Sequence, residues 1–587
     1  MPIKLINKKI KLLEIITILL YLIIIFKITD IQIFKNKYYI QKYKETFKYV
    51  FSLPAPRGRI YDRNGILLVD NEPVKVIRYS NINVSNKEEK ELAKKLARIL
   101  KEDEETIMSR MKSGYYYDLK TIKENPSDEE YALLSELNLK GIIMDIDWKR
   151  TYKTKYFNIM LGDVGSIPYE KKDYYLNRGY ALDDRVGISF IEESYEELLK
   201  GSRNKYILTN GEYKLIKEGN RGKDIYLTID IKLQEKVENI LENEVKSAKK
   251  EKNTEYYDRS FVIVSNPNTG EILAMSGKKI VNNKIIDITP EILTSTIQGG
   301  SSVKGASNIV GYKTGNLEIG EVRRDFCIKI KNLNAKCSWK SLGVLNDLTA
   351  LKYSSNSFQY QTAIRLGNGN YKYNQNLNLN KNSLKIYRSI FKEFGLGIKT
   401  GIDFYESSGY SGNKNNSELI LDYSVGQYDT YTPIQLNQYI NTIANTGYRL
   451  KPQLLKGYFI GNQFISNNKK ILNEVEIEKK YLSRVKQGFK MVMEVGGTGY
   501  NYISPKYKPA GKTGTSTSYL DLNNDGIVET PTTSNIFLAY APYDNPIVSF
   551  TVISPNVKLA YTKSTYKTKV NKKISFEVAR NFFEIYK

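Results

Sequence analysis

The sequence predicts an α+β protein: an antiparallel sheet sandwiched by helices, set on an extended α/β pedestal and preceded by one N-terminal transmembrane helix. Three observations carry that prediction. An almost unbroken apolar run, Leu12 to Ile28, follows the basic cluster Lys4, Lys8, Lys9 and Lys11. Two apolar strand signals, Asn535 to Ala541 and Ile547 to Ile553, stand near the C-terminus. Helical patterns at Leu233 to Lys250 and Ser575 to Tyr586 flank those strands and two more near Phe261 and Glu271.

Taken in order, residues 1–11 form a cytoplasmic tail and 12–28 a transmembrane anchor. The anchor is at the short end for a bilayer span, but Lys27 can snorkel and Ile31 and Ile33 extend it. No small-x-small cleavage site follows, so the anchor is expected to remain, with its basic flank inside and the rest of the chain outside the cytoplasm. Residues 29–225 read as a stalk and pedestal: a basic, aromatic helical stretch from 30 to 50, broken by Pro54 and Pro56, then short strands mixed with helices such as Lys87 to Leu100. Residues 226–587 contain the sheet and every chemical motif.

Composition excludes more than it assigns. The 587 residues include no histidine, so a Ser-His-Asp triad, a Cys-His dyad and a His-ligated zinc site are ruled out. Any carbonyl chemistry must therefore use lysine as its base. The net charge of +25 is dispersed along the chain, and an anchored topology turns it toward anionic wall polymers and lipid headgroups, not nucleic acid. Cys327 and Cys337 lie close enough in sequence to close a small loop, and the sequence leaves their pairing open. Asp521 to Glu529 has the oxygen spacing of half a calcium loop, but its twelfth position is Thr532 and strands flank it, so a polar hairpin turn is expected and no metal site.

Three motifs follow one another in the last half of the chain: Ser301-Ser-Val-Lys304, Ser354-Ser-Asn356 and Lys512-Thr-Gly-Thr515. Each alone is weak, since Ser-x-x-Lys recurs at Ser109, Ser247 and elsewhere, and Lys-Thr-Gly recurs at Lys313 and Lys399 in turn-like contexts. Context separates them. Gly299-Gly300 permits a tight turn, and Val303, Ala306 and Val310 mark a helix on which Lys304 is one turn from Ser301. Around Lys512, small and hydroxylated residues alternate along a strand beside which a substrate backbone can lie.

With these motifs in place the chain resembles the class B penicillin-binding proteins, the single-pass D,D-transpeptidases that cross-link peptidoglycan. The resemblance extends over nearly everything after the first fifty residues: Arg57-Gly-Arg-Ile-Tyr-Asp-Arg-Asn-Gly, Gly187 to Glu192, Leu227-Thr-Ile-Asp230, Asn268 to Met275, Thr400 to Asp403, Ser424 to Gln427, Thr432 to Leu436 and Ala444 to Gly447. It departs from the family at Gly299, where proline is usual, and at Tyr428, where glycine is common; the first is expected to loosen the turn before Ser301, the second to narrow the cleft or alter how well β-lactams fit. The resemblance implies the penicillin-binding transpeptidase fold and an acyl-enzyme on Ser301. Lys304 would be its base, kept neutral by burial and by Lys512. Ser354 would relay a proton, Asn356 would orient Lys304 and the donor amide, Lys512, Thr513 and Thr515 would hold the substrate carboxylate with Gly514 among the substrate-binding residues, and the N–H groups of Ser301 and Thr515 would hold the oxyanion. No metal or organic cofactor is required. Expected partners are peptidoglycan stem peptides, β-lactams, the lipid bilayer and a polytopic lipid-II polymerase, with Arg150, Tyr152 and Gly162 to Gly165 closest to the elongation type. A catalytically idle scaffold, a D,D-carboxypeptidase and a β-lactam sensor are the competing readings.

Overall fold

The structure, a computed structural model, describes residues 2–30, 32, 35, 51–53, 55–81, 84–113, 119–180, 184–209, 212–522, 525, 530–560 and 569–586. Most of the expected stalk and most of the Asp521–Glu529 loop lie outside the described residues. The chain forms two compact units: Met1–Gly58 with Asn71–Thr151 and Lys200–Gly222, and Arg59–Asp70 with Tyr152–Leu199 and Lys223–Lys587.

In the first unit a helix runs over Pro2–Thr29 and exposes Ile18 to Ile25 along its length. Among the described residues no helix is long and apolar enough to cross a membrane. The core lies further on, where the helix Asn86–Leu100 sets Leu92, Leu96 and Leu100 one turn apart against Ile77, Tyr79, Ile107 and Ile122. Ser85 and Glu88 form a capping box that satisfies the first N–H groups of that helix.

The second unit is organised by a six-stranded antiparallel sheet. Its labelled elements, in chain order, are helix α1 (Ile231–Lys249), strands β1 (Arg259–Ser265), β2 (Ile272–Val281) and β3 (Lys284–Asp287), helices α2 (Lys304–Lys313), α3 (Asn356–Leu366), α4 (Pro433–Ala444) and α5 (Lys479–Met493), strands β4 (Ala510–Leu520), β5 (Thr530–Ala541) and β6 (Val548–Leu559), and helix α6 (Lys569–Ile585). The sheet order is β3-β2-β1-β6-β5-β4, which puts β4 at an edge. Strand alternation divides the apolar residues between two cores. Val262, Val264, Phe537, Ala539 and Phe550 face α1 and α6, while Ile263, Ile536, Leu538 and Tyr540 face the larger cluster that contains α4.

Helix α4 is buried at every residue, although four of its side chains are amides. Burial is tolerated because those amides have partners. Asn437 donates to Thr551 Oγ1 at 3.2 Å, Asn441 to Ser265 Oγ at 3.0 Å, and Gln438 to the Leu450 carbonyl at 2.7 Å. At the edge of the unit, buried Asp62 accepts the N–H groups of Asn64 and Ile66, both at 2.8 Å, and of Ile231 at 3.2 Å. That carboxylate explains the Tyr-Asp-Arg-Asn-Gly signature: it folds its own turn and caps the start of α1.

One buried carboxylate ties together three elements that lead into or out of the motifs. Asp347 accepts from Tyr312 of α2 at 2.6 Å and from Arg484 of α5 at 2.7 and 2.8 Å, and it opens the short helix Asp347–Lys352 that leads to Ser354. Burial pulls its pKa upward, but Arg484 and Tyr312 outweigh that and hold it below the ordinary carboxylate value. Its stabilisation is therefore present at neutral pH and lost only as acid protonates the folded state. Asp347→Ala leaves the Arg484 guanidinium without its counter-charge and is expected to cost about 3 kcal/mol in urea unfolding.

Candidate active site

Ser301 stands in a single 3₁₀ turn, Gly300–Val303, that runs directly into α2, and the Lys304 N–H bonds back to the Ser301 carbonyl. Two glycines shape the approach. Gly299 has φ −63°, within the range proline itself would impose. Gly300 has φ +50°, and a Cβ there would meet the Thr515 carbonyl oxygen at 2.5 Å. From the other side, a Cβ on Gly514 would stand 3.0 Å from both the Gly299 carbonyl and the Ser302 N–H. The nucleophile turn thus lies directly on the Lys512 strand.

Lys304 is wholly buried, and its Nζ donates to the Ser354 carbonyl at 2.9 Å and to Asn356 Oδ1 at 2.6 Å, with Ser354 Oγ at 3.4 Å. The first two partners only accept. A neutral amine has two N–H groups to satisfy them and one lone pair left for a hydroxyl proton. Lys512, also buried, donates to Ser354 Oγ at 3.0 Å and to the Thr513 carbonyl at 3.0 Å. One serine hydroxyl therefore touches both amines. Ser354 holds this position with φ +59°, a left-handed conformation that costs a non-glycine residue roughly 1–2 kcal/mol.

Burial sets the electrostatics. Desolvation, then the neighbouring charge of Lys512, pushes the Lys304 amine well below the ordinary lysine value, against a small opposing pull from Asp325. Desolvation alone lowers Lys512 to about 7. Among the described residues no hydrogen bond joins the Ser301 hydroxyl to Lys304 in this resting arrangement; such contacts commonly close only when substrate arrives.

The remaining motif residues line β4. Thr513 donates its hydroxyl to Thr498 Oγ1 at 2.9 Å. Gln427 bridges the strand's free edge, donating to the Thr515 carbonyl at 3.3 Å and accepting the Thr517 N–H at 3.2 Å. Outward main-chain groups alternate along an edge strand, so the Thr515 N–H faces the same way as that of Thr517. Tyr428, expected to narrow the cleft, instead packs on Gly412 and donates to the Lys414 carbonyl at 2.6 Å. Gln427 stands in the Ser424 to Gln427 landmark without an assigned role, and Thr498 has no motif to mark it; Thr498 lies in the run Gly496-Gly-Thr-Gly499 that turns the chain from α5 toward β4. Lys313 ends α2, and Lys399 belongs to an irregular loop.

The family description "Penicillin binding protein transpeptidase domain" matches residues 260–576, and "Penicillin-binding Protein dimerisation domain" matches residues 52–227. The chain belongs to the penicillin-binding transpeptidases. It is 34% identical to penicillin-binding protein 2A of Bacillus subtilis, over 91% of this chain and 87% of the relative. It is 25% identical to the peptidoglycan D,D-transpeptidase MrdA of Acinetobacter baumannii, over 86% and 78%. The solved structure of penicillin-binding protein 2B from Streptococcus pneumoniae superposes with a TM-score of 0.76 at 26% identity, covering 91% of this chain and 98% of that one. The transpeptidase fold of mixed α and β content is therefore shared along most of its length.

The close packing at Gly300 can be tested within that fold. Gly300→Ala adds a methyl group where the Thr515 carbonyl is only 2.5 Å away. It is expected to slow acylation by a fluorescent penicillin by at least about tenfold.

Proposed function

We propose that this chain is a serine D,D-transpeptidase that cross-links peptidoglycan stem peptides through an acyl-enzyme on Ser301 and is a target of β-lactams. The observation that carries the reading is the pair of buried amines converging on Ser354 Oγ, Lys512 from its strand and Lys304 from one helical turn after Ser301. Serine is a poor nucleophile at neutral pH, so its proton must go to a neutral Lys304, which desolvation keeps available. Ser301 Oγ then attacks the carbonyl of the D-Ala-D-Ala bond. The developing oxyanion is held by the N–H groups of Ser301 and Thr515. Ser354 passes a proton toward the leaving amine, since its hydroxyl contacts both lysines. Lys512, Thr513 and Thr515 hold the substrate's terminal carboxylate, and Gly514 keeps the strand close to the nucleophile turn. An amine from a second stem peptide deacylates the enzyme and forms the cross-link.

The substrate has a place to pair. β4 is the edge strand of its sheet, so an extended peptide can add to its outward main-chain groups. The idle-scaffold alternative predicts a lost reacting group, whereas every group the chemistry needs is present in one site. We read the chain as anchored by its first helix, whose exposed apolar residues Ile18 to Ile25 suit a bilayer, with the transpeptidase domain outside the cytoplasm beside a polytopic lipid-II polymerase.

Fluorescent penicillin is expected to label the wild type and not Ser301→Ala; label that persists in the variant rules out this nucleophile. The pH dependence has a definite sign. The acylation rate rises with pH as Lys304, pushed by burial well below the ordinary lysine value, loses its proton, and in the free enzyme kcat/KM falls above about 7 as Lys512 becomes neutral. A bound carboxylate raises the Lys512 pKa, so kcat holds to higher pH than kcat/KM. A kcat/KM that still climbs at pH 9 refutes the cationic role of Lys512.

A further inference from the structure

Asn356 reaches Lys304 with its carbonyl oxygen because its other end is held. Its Nδ2 donates to the Cys337 carbonyl at 3.0 Å, and its main-chain N–H donates to Ser338 Oγ at 3.0 Å. A main-chain carbonyl can only accept, so the amide must present its NH2 group there and keep Oδ1 for Lys304, 2.6 Å away. Cys337 therefore fixes which face of the Asn356 amide the base sees.

The loop that carries Cys337 is built to hold that position. It hangs from a two-stranded hairpin, Val322–Arg324 with Val344–Asn346, and its limbs pair again where Ile328 and Lys336 exchange two main-chain hydrogen bonds of 2.9 Å. The next residue outward on each limb is a cysteine. Cys327 and Cys337 are disulfide-bonded with their Cα atoms 4.3 Å apart. Beside the bond, Asp325 accepts from Ser338 at 2.7 Å and from Ser355 at 2.6 Å, and the Phe326 N–H donates to Ser357 at 3.0 Å. The loop thus grips the start of α3 by two side chains, one main-chain N–H and one carbonyl, while both cysteines are exposed to solvent. An exposed disulfide is open to attack by external thiolates.

We propose that the Cys327–Cys337 disulfide is a redox-controlled positioning device for Asn356, so that the rate at which Ser301 is acylated depends on the oxidation state of this loop. The inference rests on the acyl-serine reading above. In the reduced state a dithiol delivers two electrons and two protons, the S–S bond becomes two thiols, and the reductant leaves as its cyclic disulfide. The limb bearing Cys337 then loses its covalent tie. The Asn356 amide gains freedom to turn, and Lys304 loses a fixed acceptor.

The test uses the full-length chain in detergent micelles and a fluorescent penicillin. Air-oxidised protein is expected to show no free thiols. Reduction by a dithiol is expected to expose two thiols and to lower the acylation rate constant by at least about tenfold, with the pre-acylation binding constant kept, and reoxidation is expected to restore it. The Cys327→Ser/Cys337→Ser double variant is expected to react at the reduced rate and to ignore the dithiol. An unchanged rate with two thiols counted, or two free thiols in the oxidised protein, overturns the proposal while leaving Ser301 labelled. Absence of labelling in both redox states strikes instead at the acyl-serine reading.

Discussion

Two fully buried lysine amines share one serine hydroxyl, and the rest of the domain is arranged around keeping them there. Two cations are disfavoured at such a place: burial pushes both pKa values down, and the charge of Lys512 further disfavours that of Lys304. A nearby carboxylate would undo this by stabilising the charged form. Asp325 lies close enough to pull the Lys304 pKa up slightly, yet its Oδ2 accepts from Ser338 and Ser355. Those two hydroxyls bind an anion that would otherwise be free to pair with the base.

Such a site needs a frame that does not relax. Burying an amine favours any movement that lets water back in, so the surrounding elements must be tied more strongly than the lysines push. The ties are themselves buried and polar: Asp347 links α2 and α5 to the helix before Ser354, and the amides of α4 bind the sheet and the adjoining loops. Interactions of this kind add little net stability when complete and are costly to break, which makes them better at fixing geometry than at raising the melting point. The left-handed strain at Ser354 is borne by this frame.

The parts of the site that were legible in the sequence are those with local spacing. Ser301 and Lys304 differ by one helical turn, and the alternation of Lys512 to Thr515 is that of a strand, so the structure places both where the periodicity expects. The two buried terminal strands and the flanking helices were legible for the same reason, although α6 begins at Lys569, several residues before the apolar pattern becomes regular. What was not legible depends on chain segments far apart. Thr498 meets Thr513 through a turn without periodicity, Asp62 caps a helix that starts at Ile231, and the pairing of Cys327 with Cys337 follows from a loop register that neither cysteine reveals. Loss of proline at Gly299 suggests a looser turn, yet the residue stands at the φ that proline would have.

Placing the reactive strand at the edge of its sheet follows from the same constraint. An edge exposes unpaired main-chain groups and is ordinarily a liability for aggregation. A strand in the middle of the sheet would have both edges occupied and no N–H to offer an oxyanion or a peptide. At β4 the edge is only partly open: Gln427 covers the Thr515 carbonyl and the Thr517 N–H, and the Gly299–Ser302 turn covers Gly514. The exposed remainder lies beside the Gly299–Ser302 turn, so under the proposed reading a peptide that pairs with it is brought alongside Ser301.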